Sequence, residues 1–457
     1  MHRQTTRKTK PRPYGLRTSM LVVKRAISEL KLDPKNPRIH TPLQIKQIAR
    51  SIKAFGFNVP LLVDDQLNVI AGHGRVAACK LLGCTHVPTI CLEHLTPPQI
   101  RAFMIADNRL TENAAWDNQL LAESFKELSE VELDFSLEDT GFQMGEIDLL
   151  IEDLTPAADG ESDPADVLPE SSNGPSVSEL GDLWDLGPHR LYCGDARDIA
   201  SYKALLGDKR AAVCFTDPPY NVAITGHVSG LGKIKHREFS MASGEMGDAQ
   251  FTLFLISACK CMARFSEDGS LHYVFMDWRH MGNLLTAGRQ VYDDFKNLCV
   301  WTKGNGGMGS LYRSAHELCF VFKHGKSSHQ NNVQLGQFGR YRTNVWQYDG
   351  MSSFARTTEE GNLLALHPTV KPVALVADAL LDASARGEIV LDPFLGSGTT
   401  LVATERTGRV CYGIEIDPLY VDTAIRRWQT FTGQMATHTQ SGRTFLEHQA
   451  VRRGCHG

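Results

Sequence analysis

The chain has 457 residues, a net charge of −4 and 42% hydrophobic residues, which indicates a globular protein of two or three domains. It has no apolar run of membrane-spanning length, and no apolar segment follows the basic N-terminus, so a membrane protein and a signal peptide are both disfavoured. The 11 cysteines include no C-x-x-C pair, which favours reduced thiols in the cytoplasm, and we expect no bound metal.

Charge is unevenly distributed along the chain. The segment Glu127–His189 contains 18 acidic residues and no Lys or Arg, whereas the first 28 residues contain eight basic residues and no acidic one. The remainder is net positive and can therefore present basic surfaces to a polyanion. A solvated tail and an acidic spacer would explain the same pattern.

The N-terminal part alternates between short strands and helices. Residues 1–25 are predicted to form a basic disordered tail, and residues 26–130 a compact α+β domain. Its first helix is expected to begin at Thr41 or Pro42 and to end before Gly56. The other predicted elements are strands at 60–63, 68–71 and 86–90, and helices at 76–82 and within 97–128.

A change of composition separates this domain from the rest. Residues 131–178, acidic and rich in Pro and Ser, are predicted to be a linker, and residues 434–457 a C-terminal tail. Strands and helices alternate through residues 179–433, which predicts a mostly parallel sheet covered on both faces. The predicted strands are 182–187, 189–195, 211–216, 271–275, 296–301, 317–322, 387–391 and 409–414, and the predicted helices are 199–206, 248–263, 279–290, 372–384, 399–407 and 418–429.

A glycine-rich loop connects one predicted strand to the next helix. Residues 392–398 read Asp-Pro-Phe-Leu-Gly-Ser-Gly, and Thr399 begins the helix, whose N-terminus offers free N–H donors. Glu415 ends the following strand, where a carboxylate can accept hydrogen bonds from the two hydroxyls of a ribose. The spacing indicates a nucleoside cofactor in a doubly wound sheet.

A second motif, Asp217–Tyr220, reads Asp-Pro-Pro-Tyr and follows another buried strand, on the same rim of the sheet. The Asp217 carboxylate and the Pro218 carbonyl can each accept a hydrogen bond from an exocyclic amino group. Such acceptors favour a tetrahedral nitrogen whose lone pair can attack a methyl sulfonium. Tyr220 offers a face on which an extruded base can stack.

In these motifs and in their order, residues 180–433 resemble the S-adenosylmethionine-dependent DNA amino-methyltransferases of the permuted (beta) class. The resemblance implies a Rossmann-like doubly wound α/β sheet, S-adenosylmethionine as cofactor, and double-stranded DNA as substrate. It implies a catalytic role for Asp217, Pro218, Pro219 and Tyr220, and it places Lys371 near the methionine carboxylate. The implied cofactor-binding residues are Asp195, His367, Thr369, Lys371, Asp392, Phe394, Gly396, Ser397, Gly398, Thr399 and Glu415.

Asp217 favours adenine N6 as the methyl acceptor, because family members that act on cytosine N4 more often have Ser at this position. Cytosine N4, an RNA or protein substrate, and a ParB-like binding protein with an inactive methyltransferase domain remain alternatives. The implied enzyme is bacterial or phage-encoded, cytoplasmic and nucleoid-associated, of the kind found in restriction–modification systems. The sequence shows no nuclease motif, and it leaves a homodimer open.

Two inserts combine basic, amide and aromatic residues, which suits DNA contact. One spans 221–245 and the other 323–366, where the family has its target recognition region. A solvated loop is the alternative for both. The candidate DNA-binding residues are Lys233, Lys235, Arg237, Arg340, Arg342 and Arg356.

Residues 26–130 resemble the ParB N-terminal/sulfiredoxin-like fold through the segments 32–38, 71–75 and 106–109. Relatives with Gly-x-Arg-Arg in the second segment bind a nucleotide phosphate there. In this chain Gly74 takes the place of the first Arg, so DNA or partner binding, nucleotide binding and a ligand-free scaffold all stay open. The second segment contains no cysteine, which disfavours sulfiredoxin-type peroxiredoxin repair.

Overall fold

The computed structural model describes residues 20–34, 36–131, 133–152, 154, 163–169, 175–221, 244–303, 312–336, 340–348 and 370–454. The chain divides into two compact units, residues 1–143 and 144–457, and the division lies within the segment that composition assigns to the linker. None of the helices in the described ranges is long and apolar enough to cross a membrane.

The first unit is built on a five-stranded mixed sheet with the order β1-β5-β3-β4-β2. The strands are β1 Val22–Ala26, β2 Lys31–Leu32, β3 Leu61–Val63, β4 Asn68–Ala71 and β5 His86–Cys91. The helices described in this unit are α1 Pro42–Phe55, α2 His73–Leu81, α3 Pro97–Glu112 and α4 Asn118–Ser129. Leu61, Val69 and Val76 are buried in its core, which confirms the predicted α+β class. Strand β1 begins at Val22, within the stretch that was predicted to be a disordered tail.

Helix α1 shows how local signals set the element boundaries in this unit. The Thr41 hydroxyl accepts a hydrogen bond from Gln44 N at 3.1 Å, and Pro42 takes the first helical position, where no N–H donor is needed. Gly56 follows the last turn with a φ of 85°, and its N–H donates to Ile52 O at 2.9 Å. The helix therefore has the boundaries expected from the sequence.

The second unit is built on a ten-stranded sheet with the order β12-β10-β11-β9-β8-β13-β14-β7-β6-β15. Its strands are β6 Leu183–Leu186, β7 His189–Cys193, β8 Ala211–Thr216, β9 Ser266–Met276, β10 Asp294–Thr302, β11 His316–Lys323, β12 Val345–Gln347, β13 Ile389–Asp392, β14 Val410–Glu415 and β15 Thr437–His438. The helices described here are α5 Met144–Glu152, α6 Ile199–Leu206, α7 Asp248–Arg264, α8 Met281–Val291, α9 Val373–Ala383, α10 Thr399–Thr407, α11 Pro418–Thr432 and α12 Phe445–Gly454.

The centre of this sheet is parallel and doubly wound. Strands β9, β8, β13, β14 and β7 run in the same direction. The chain leaves β8 towards β9 and leaves β13 towards β14, so neighbouring strands diverge between β8 and β13. Right-handed crossovers then place α7 and α10 on opposite faces and open a crevice at the carboxyl ends of these two strands.

Separate cores cover the two faces of the sheet, as the prediction of a doubly wound α/β fold requires. On one face Phe251 and Leu255 of α7 pack with residues of α6 and α8. On the other face Val376 and Leu380 of α9 pack with Val402 of α10. A third core joins α10 and α11 to β6 and β7.

Part of the predicted linker is ordered and packed into the second unit. Asp148 of α5 is fully buried and forms a two-point ion pair with the equally buried Arg409, with N–O distances of 2.7 and 3.0 Å. Arg386 adds a contact to Asp148 at 3.0 Å. An acidic composition therefore does not make this stretch a spacer, because one of its carboxylates forms buried ion pairs with two arginines of the sheet domain.

The predicted C-terminal tail also packs into the second unit. Strand β15 pairs antiparallel with β6, and α12 follows it. Phe445, at the start of α12, is 1% exposed and lies 5.4 Å from the buried Trp184 ring. Composition gave no sign of this packing, because the segment is short and polar and contributes few apolar side chains.

Candidate active site

Four acidic residues lie at the carboxyl ends of adjacent parallel strands. Asp217 follows β8, Asp392 ends β13, Glu415 ends β14, and Asp195 follows β7 shortly after its last residue. Because these strands are consecutive in the sheet, the four side chains occupy one edge of it. The structure thus brings the proposed catalytic motif and the glycine loop to the crevice between β8 and β13.

Asp392 joins the strand of the catalytic motif to the glycine loop. Its carboxylate accepts hydrogen bonds from the hydroxyls of Thr216, at 2.8 Å, and Thr400, at 2.7 Å. The backbone N–H of Phe394 adds a third bond at 3.1 Å. Burial raises the pKa of Asp392 to about 6, although these hydrogen bonds act in the opposite direction. The residue therefore fixes the geometry of the loop.

The loop itself wraps around the carboxylate of Glu415. Backbone N–H groups of Gly396 and Asp417 each donate to this carboxylate at 2.8 Å. Burial, with a smaller contribution from the nearby Asp417 and Asp392, raises the pKa of Glu415 to about 7 in spite of the two hydrogen bonds, which lower it. The side chain is thus oriented by the backbone, at the position expected for a ribose-binding acid.

Arg427 of α11 forms hydrogen bonds to the glycine loop and to the helix that follows it. Its guanidinium group donates to Ser397 O at 3.3 Å and to the Thr399 hydroxyl at 3.0 Å. A third bond, to Ala165 O at 2.9 Å, ties in a segment that composition assigns to the linker. Arg427 is 2% exposed, and burial lowers its pKa to about 10. Sequence reasoning did not identify it, because it lies 28 residues after the loop in an ordinary amphipathic helix.

Asp217 belongs to a buried carboxylate–lysine cluster that also contains Tyr220, Lys303, Glu317 and Lys371. The ammonium group of Lys371 contacts the Asp217 carboxylate and lies 2.9 Å from Glu317 Oε2. Tyr220 donates its hydroxyl proton to Asp217, and Lys303 forms an ion pair with Glu317. Lys371 also lies over the rings of Phe275, Trp301 and Tyr220, at 4.6, 5.8 and 5.8 Å from their centroids.

The charges in this cluster set one another's protonation. Burial raises the pKa of Asp217, and Glu317 raises it too, while Lys371 and Tyr220 act against that rise. Burial also raises the pKa of Glu317, but Lys371 and Lys303 outweigh it and bring the pKa to about 2. The same carboxylates raise the pKa of Lys371 in spite of its burial. Lys371 is therefore charged and supplies the cation that keeps Asp217 an acceptor.

The contacts of Lys371 show a role that the sequence did not indicate. The resemblance places it near the methionine carboxylate of the cofactor, and in the structure its ammonium group lies on Asp217 and Glu317. Glu317 was missed altogether, because it occurs in the otherwise apolar strand β11. A lone acid within an apolar strand is itself a signal of a buried ion pair, but its partner is 54 residues away in the sequence.

Two predicted cofactor residues have local partners that define their orientation. Asp195 accepts a two-point interaction from the Arg197 guanidinium at 3.0 and 2.7 Å. Burial opposes ionisation of Asp195, but Arg197 lowers its pKa below the usual value. Phe394 packs against Phe254 of α7, with 6.0 Å between the ring centroids. Together they form a polar and an apolar wall beside the loop.

Asn221 directly follows the catalytic motif and closes the base of the first insert. It adopts a left-handed conformation with a φ of 56°, which asparagine tolerates better than most residues. Its amide donates to Met246 O at 2.7 Å and accepts from the N–H groups of Gly244 and Met246, both at 3.2 Å. One side chain thus ties residue 221 to residues 244–246.

Of the candidate DNA-binding residues, some lie outside the described part of the chain and others form ion pairs within it. Lys233, Lys235, Arg237 and Arg356 lie outside the described residues, as do the predicted cofactor residues His367 and Thr369. Arg340 is 7% exposed and forms ion pairs with Asp378 and Asp382 of α9, at 3.3 and 3.1 Å. Arg342 pairs with the same two carboxylates, at 3.2 and 2.9 Å. These contacts neutralise both guanidinium groups and favour a structural role over phosphate binding.

The turn that resembles a nucleotide-phosphate site in the first unit is tightly packed. A side chain on Gly74 would meet the side chains of His40 and Ile48 at 3.0 Å, so both would have to shift to accommodate the arginine that relatives have there. The Arg75 guanidinium donates to the carbonyl of Val59 at 2.5 Å. Burial lowers its pKa, while Asp107 raises it. The local structure is consistent with a changed or absent phosphate function.

The doubly wound sheet has a glycine loop and a row of acidic residues at the carboxyl ends of its parallel strands. This arrangement is typical of enzymes that bind a nucleoside ligand at that edge. Comparison with known proteins gives the family. Residues 211–426 match the DNA methylase model of the N6/N4 methyltransferases. Residues 17–108 match the ParB N-terminal domain, and residues 119–186 match the ParB-methyltransferase helix-turn-helix domain. The chain therefore contains an N6/N4 DNA methylase domain, preceded by a ParB N-terminal domain and a ParB-methyltransferase helix-turn-helix domain.

Individual relatives match the two parts separately. The Type II methyltransferase M2.MboI of Moraxella bovis is 25% identical over 255 residues, covering 53% of this chain and 88% of the relative. The ParB-like nuclease domain-containing protein YnaK of Escherichia coli K12 is 42% identical over 78 residues, covering 17% of this chain and 90% of the relative. The solved structure of TTHA0409, a putative DNA modification methylase from Thermus thermophilus, is 20% identical, covers 54% of this chain and 97% of that one, and has a TM-score of 0.39.

Proposed function

We propose that this DNA methyltransferase transfers a methyl group from S-adenosylmethionine to N6 of adenine in duplex DNA. The observation that supports this best is that Asp217 directly follows β8, which pairs with β13, the strand that leads into the glycine loop. A 2.8 Å hydrogen bond from the Thr216 hydroxyl to the Asp392 carboxylate joins the ends of these two strands. The choice of adenine rests on the resemblance of Asp-Pro-Pro-Tyr to the motif of adenine-specific members.

The residues around the loop fit the cofactor. When bound, S-adenosylmethionine supplies an electrophilic methyl group on a sulfonium centre. The Glu415 carboxylate, held by two backbone N–H groups at 2.8 Å, retains lone pairs for ribose hydroxyls. Phe394 offers an apolar surface, and Asp195 offers a carboxylate beyond β7 for the adenine amine. We assign cofactor binding to these residues together with Gly396, Ser397, Gly398 and Thr399.

On the acceptor side, Asp217 and the Pro218 carbonyl bind the target amine. The Asp217 oxygens contact Lys371 and Tyr220, and each oxygen has a second lone pair available for an N–H of the base. Hydrogen bonds outside the ring plane make the exocyclic nitrogen more tetrahedral, which frees its lone pair for attack. The methylated nitrogen then releases its proton readily, so a strong base is not required. Tyr220 provides the stacking face for the extruded base.

Replacement of Gly398 with alanine is expected to weaken S-adenosylmethionine binding and to destabilise the domain. Gly398 has a φ of 85°, and an added Cβ would lie 3.0 Å from Ala424 Cβ, so the loop must move. The left-handed conformation alone costs about 1–2 kcal/mol for a residue with a side chain. The matched control is Gly433→Ala, which has a φ of 72° and nothing within 4 Å of the added atom. Titration calorimetry should show weaker S-adenosylmethionine binding only in Gly398→Ala. Urea unfolding should show a larger loss of stability in Gly398→Ala than in the control.

Nucleoside analysis tests the proposed function. The purified full-length chain is incubated with S-adenosylmethionine and duplex DNA, the DNA is digested, and the nucleosides are separated by liquid chromatography and mass spectrometry. N6-methyldeoxyadenosine is the expected product. N4-methyldeoxycytidine would overturn the choice of base, and the absence of both products under conditions of confirmed cofactor binding would overturn DNA methylation. Methylation-sensitive sequencing of the same DNA then gives the recognition sequence.

The ParB-like unit is proposed to bind DNA or a partner rather than to hydrolyse nucleotide. The packing of Gly74 and the contact of Arg75 with a backbone carbonyl support this choice over a phosphate site. Binding of labelled duplex DNA by the full chain at several salt concentrations measures the electrostatic contribution.

A further inference from the structure

Two histidines and an aspartate meet at one edge of the large sheet, away from the methyl-transfer site. Asp182 precedes β6, His438 lies on β15, and His448 lies on the first turns of α12. Strands β6 and β15 form the end of the sheet, separated from β8 by β7, β14 and β13. No residue of the proposed methyl-transfer chemistry takes part in this cluster, which we call the edge triad.

The triad has the dimensions of a metal site. One potential ligand atom from each residue lies within 4.8 Å of the other two. The two imidazole rings are 4.7 Å apart between centroids, and His438 Nε2 is 3.4 Å from Asp182 Oδ1. Ligand atoms around a tetrahedral zinc ion, with bonds of about 2.0–2.2 Å, are about 3.4 Å apart. Small side-chain rotations therefore bring the triad to coordination distance.

Three buried nitrogens of the triad are unsatisfied. His438 and His448 are 5% and 8% exposed. Among the described residues, His438 Nε2 and both ring nitrogens of His448 have no hydrogen-bond partner. Leaving a buried polar atom without a partner costs about 1–3 kcal/mol, so such a group calls for an explanation. The unpartnered nitrogens occur on two neighbouring imidazoles that face a carboxylate, which points to a shared ligand.

The surroundings hold the triad in place. His438 Nδ1 lies 3.0 Å from the Ser441 hydroxyl, which can accept its proton and leave Nε2 free to bind a metal. In the other tautomer, Ser441 N donates to Nδ1 at 3.3 Å and Nε2 carries a proton towards Asp182. Both rings also pack against Trp184, at centroid distances of 5.1 and 5.3 Å. The rigid apolar support suits a fixed coordination geometry.

The charges beside the triad are compatible with a cation. Asp182 Oδ2 accepts a hydrogen bond from Glu179 N at 2.8 Å and contacts the Arg452 guanidinium at 3.2 Å, so Oδ1 is the oxygen left for a ligand. Arg452 also contacts the Glu179 carboxylate at 3.3 Å. Arg452 is thus offset by two carboxylates, and Arg443 is a second cation near His448.

We propose that the edge triad binds one divalent transition-metal ion of the zinc type through Asp182, His438 and His448. Two imidazoles and one carboxylate are ligands that zinc prefers, and water would complete the tetrahedron. The ion joins the start of β6, strand β15 and helix α12. It therefore acts as a structural clamp that fastens the C-terminal segment to the edge of the sheet.

Zinc titration of the full-length chain tests this proposal. Cys455 and His456 follow α12 in the sequence and could bind zinc independently, so C455S/H456A is the parent for all variants. After removal of metal with a chelator, calorimetry with zinc chloride should show about one ion per chain in the parent. The variants His438→Gln and His448→Gln should each lose at least about tenfold in affinity. Zinc should also raise the melting temperature of the parent and have no such effect on the variant H438Q/H448Q made in that parent.

The controls separate this site from adventitious binding. H86Q/H94Q removes two exposed histidines of the first unit and should bind zinc as the parent does. If near-UV circular dichroism shows H438Q/H448Q to be unfolded, Asp182→Asn, which keeps the side-chain shape, replaces it and should bind zinc more weakly. The proposal is overturned if the parent binds no zinc, or if the folded triad variants bind zinc with the parent's affinity.

Discussion

Replacing Asp217 with alanine is expected to lower the turnover number of methyl transfer by about 10²–10³-fold, the usual loss when one preorganised polar group is removed from the reacting centre. In the proposed mechanism the carboxylate and the Pro218 carbonyl together make the target amine more tetrahedral, and the substitution removes one of these two acceptors. The glycine loop and Glu415 are on other strands, so S-adenosylmethionine affinity should change little. Single-turnover rates and calorimetry measure the two quantities separately.

Asp208→Ala is the matched control for this substitution. Asp208 is an exposed turn residue just before β8, so the same chemical change is made close in sequence but outside the site. Its methylation rate should equal that of the parent. An Asp217→Ala enzyme that keeps a tenth or more of the parental rate would contradict the role given to this residue.

Replacing Lys371 with methionine is expected to lower the free energy of unfolding by about 3–5 kcal/mol at neutral pH, because removing one partner leaves buried charges uncompensated. Lys371 is 5% exposed and contacts two carboxylates, and among the residues that the structure describes only Glu317 retains another cation, Lys303. Loss of the ammonium group also raises the pKa of Asp217 further. The acid limb of the activity profile should therefore move to higher pH. Urea unfolding and the pH dependence of turnover measure the two effects.

The pH dependence of stability adds a signature specific to Glu317. Its pKa of about 2 is below the usual 4.5, so its ionised form stabilises the folded state above about pH 4.5. That contribution is lost as the pH falls from 4.5 towards 2. In Lys371→Met the Glu317 pKa rises, and this part of the acid dependence should shrink.

The double variant K371M/E317Q is the control for the charge argument. It removes one carboxylate together with the cation and should recover part of the lost stability. If Lys371→Met is as stable as the parent, or if the double variant is no more stable than the single one, the cluster is not held by charge pairing.

The fold was largely predictable from the sequence because its signals are local. Helices at 199–206 and 399–407 coincide with α6 and α10, and strand 211–216 coincides with β8. Capping residues, glycines and apolar runs specify such elements without reference to distant parts of the chain. The alternation of these elements also predicted a doubly wound sheet, and the structure confirms it.

What the sequence did not reveal depends on long-range pairing. Arg340 and Arg342 were interpreted as DNA contacts because basic and aromatic residues surround them, but the carboxylates that neutralise them are 36–42 residues away on α9. The acidic linker was interpreted from composition, although Asp148 pairs with an arginine 261 residues further along the chain. For these residues no local pattern distinguishes a solvated charge from one that finds its partner only after folding.

The hydrogen bonds of Asn221 bear on how enzymes of this architecture can diversify. Because one side chain bridges residue 221 to residues 244–246, the ends of the first insert are fixed beside the catalytic motif whatever lies between them. The entropy of closing a loop grows only slowly with its length. Insertions, deletions or grafted segments at this position are therefore tolerated thermodynamically while Asp217–Tyr220 keeps its geometry. The same catalytic edge can thus be combined with new surface loops by exchanging one segment of chain.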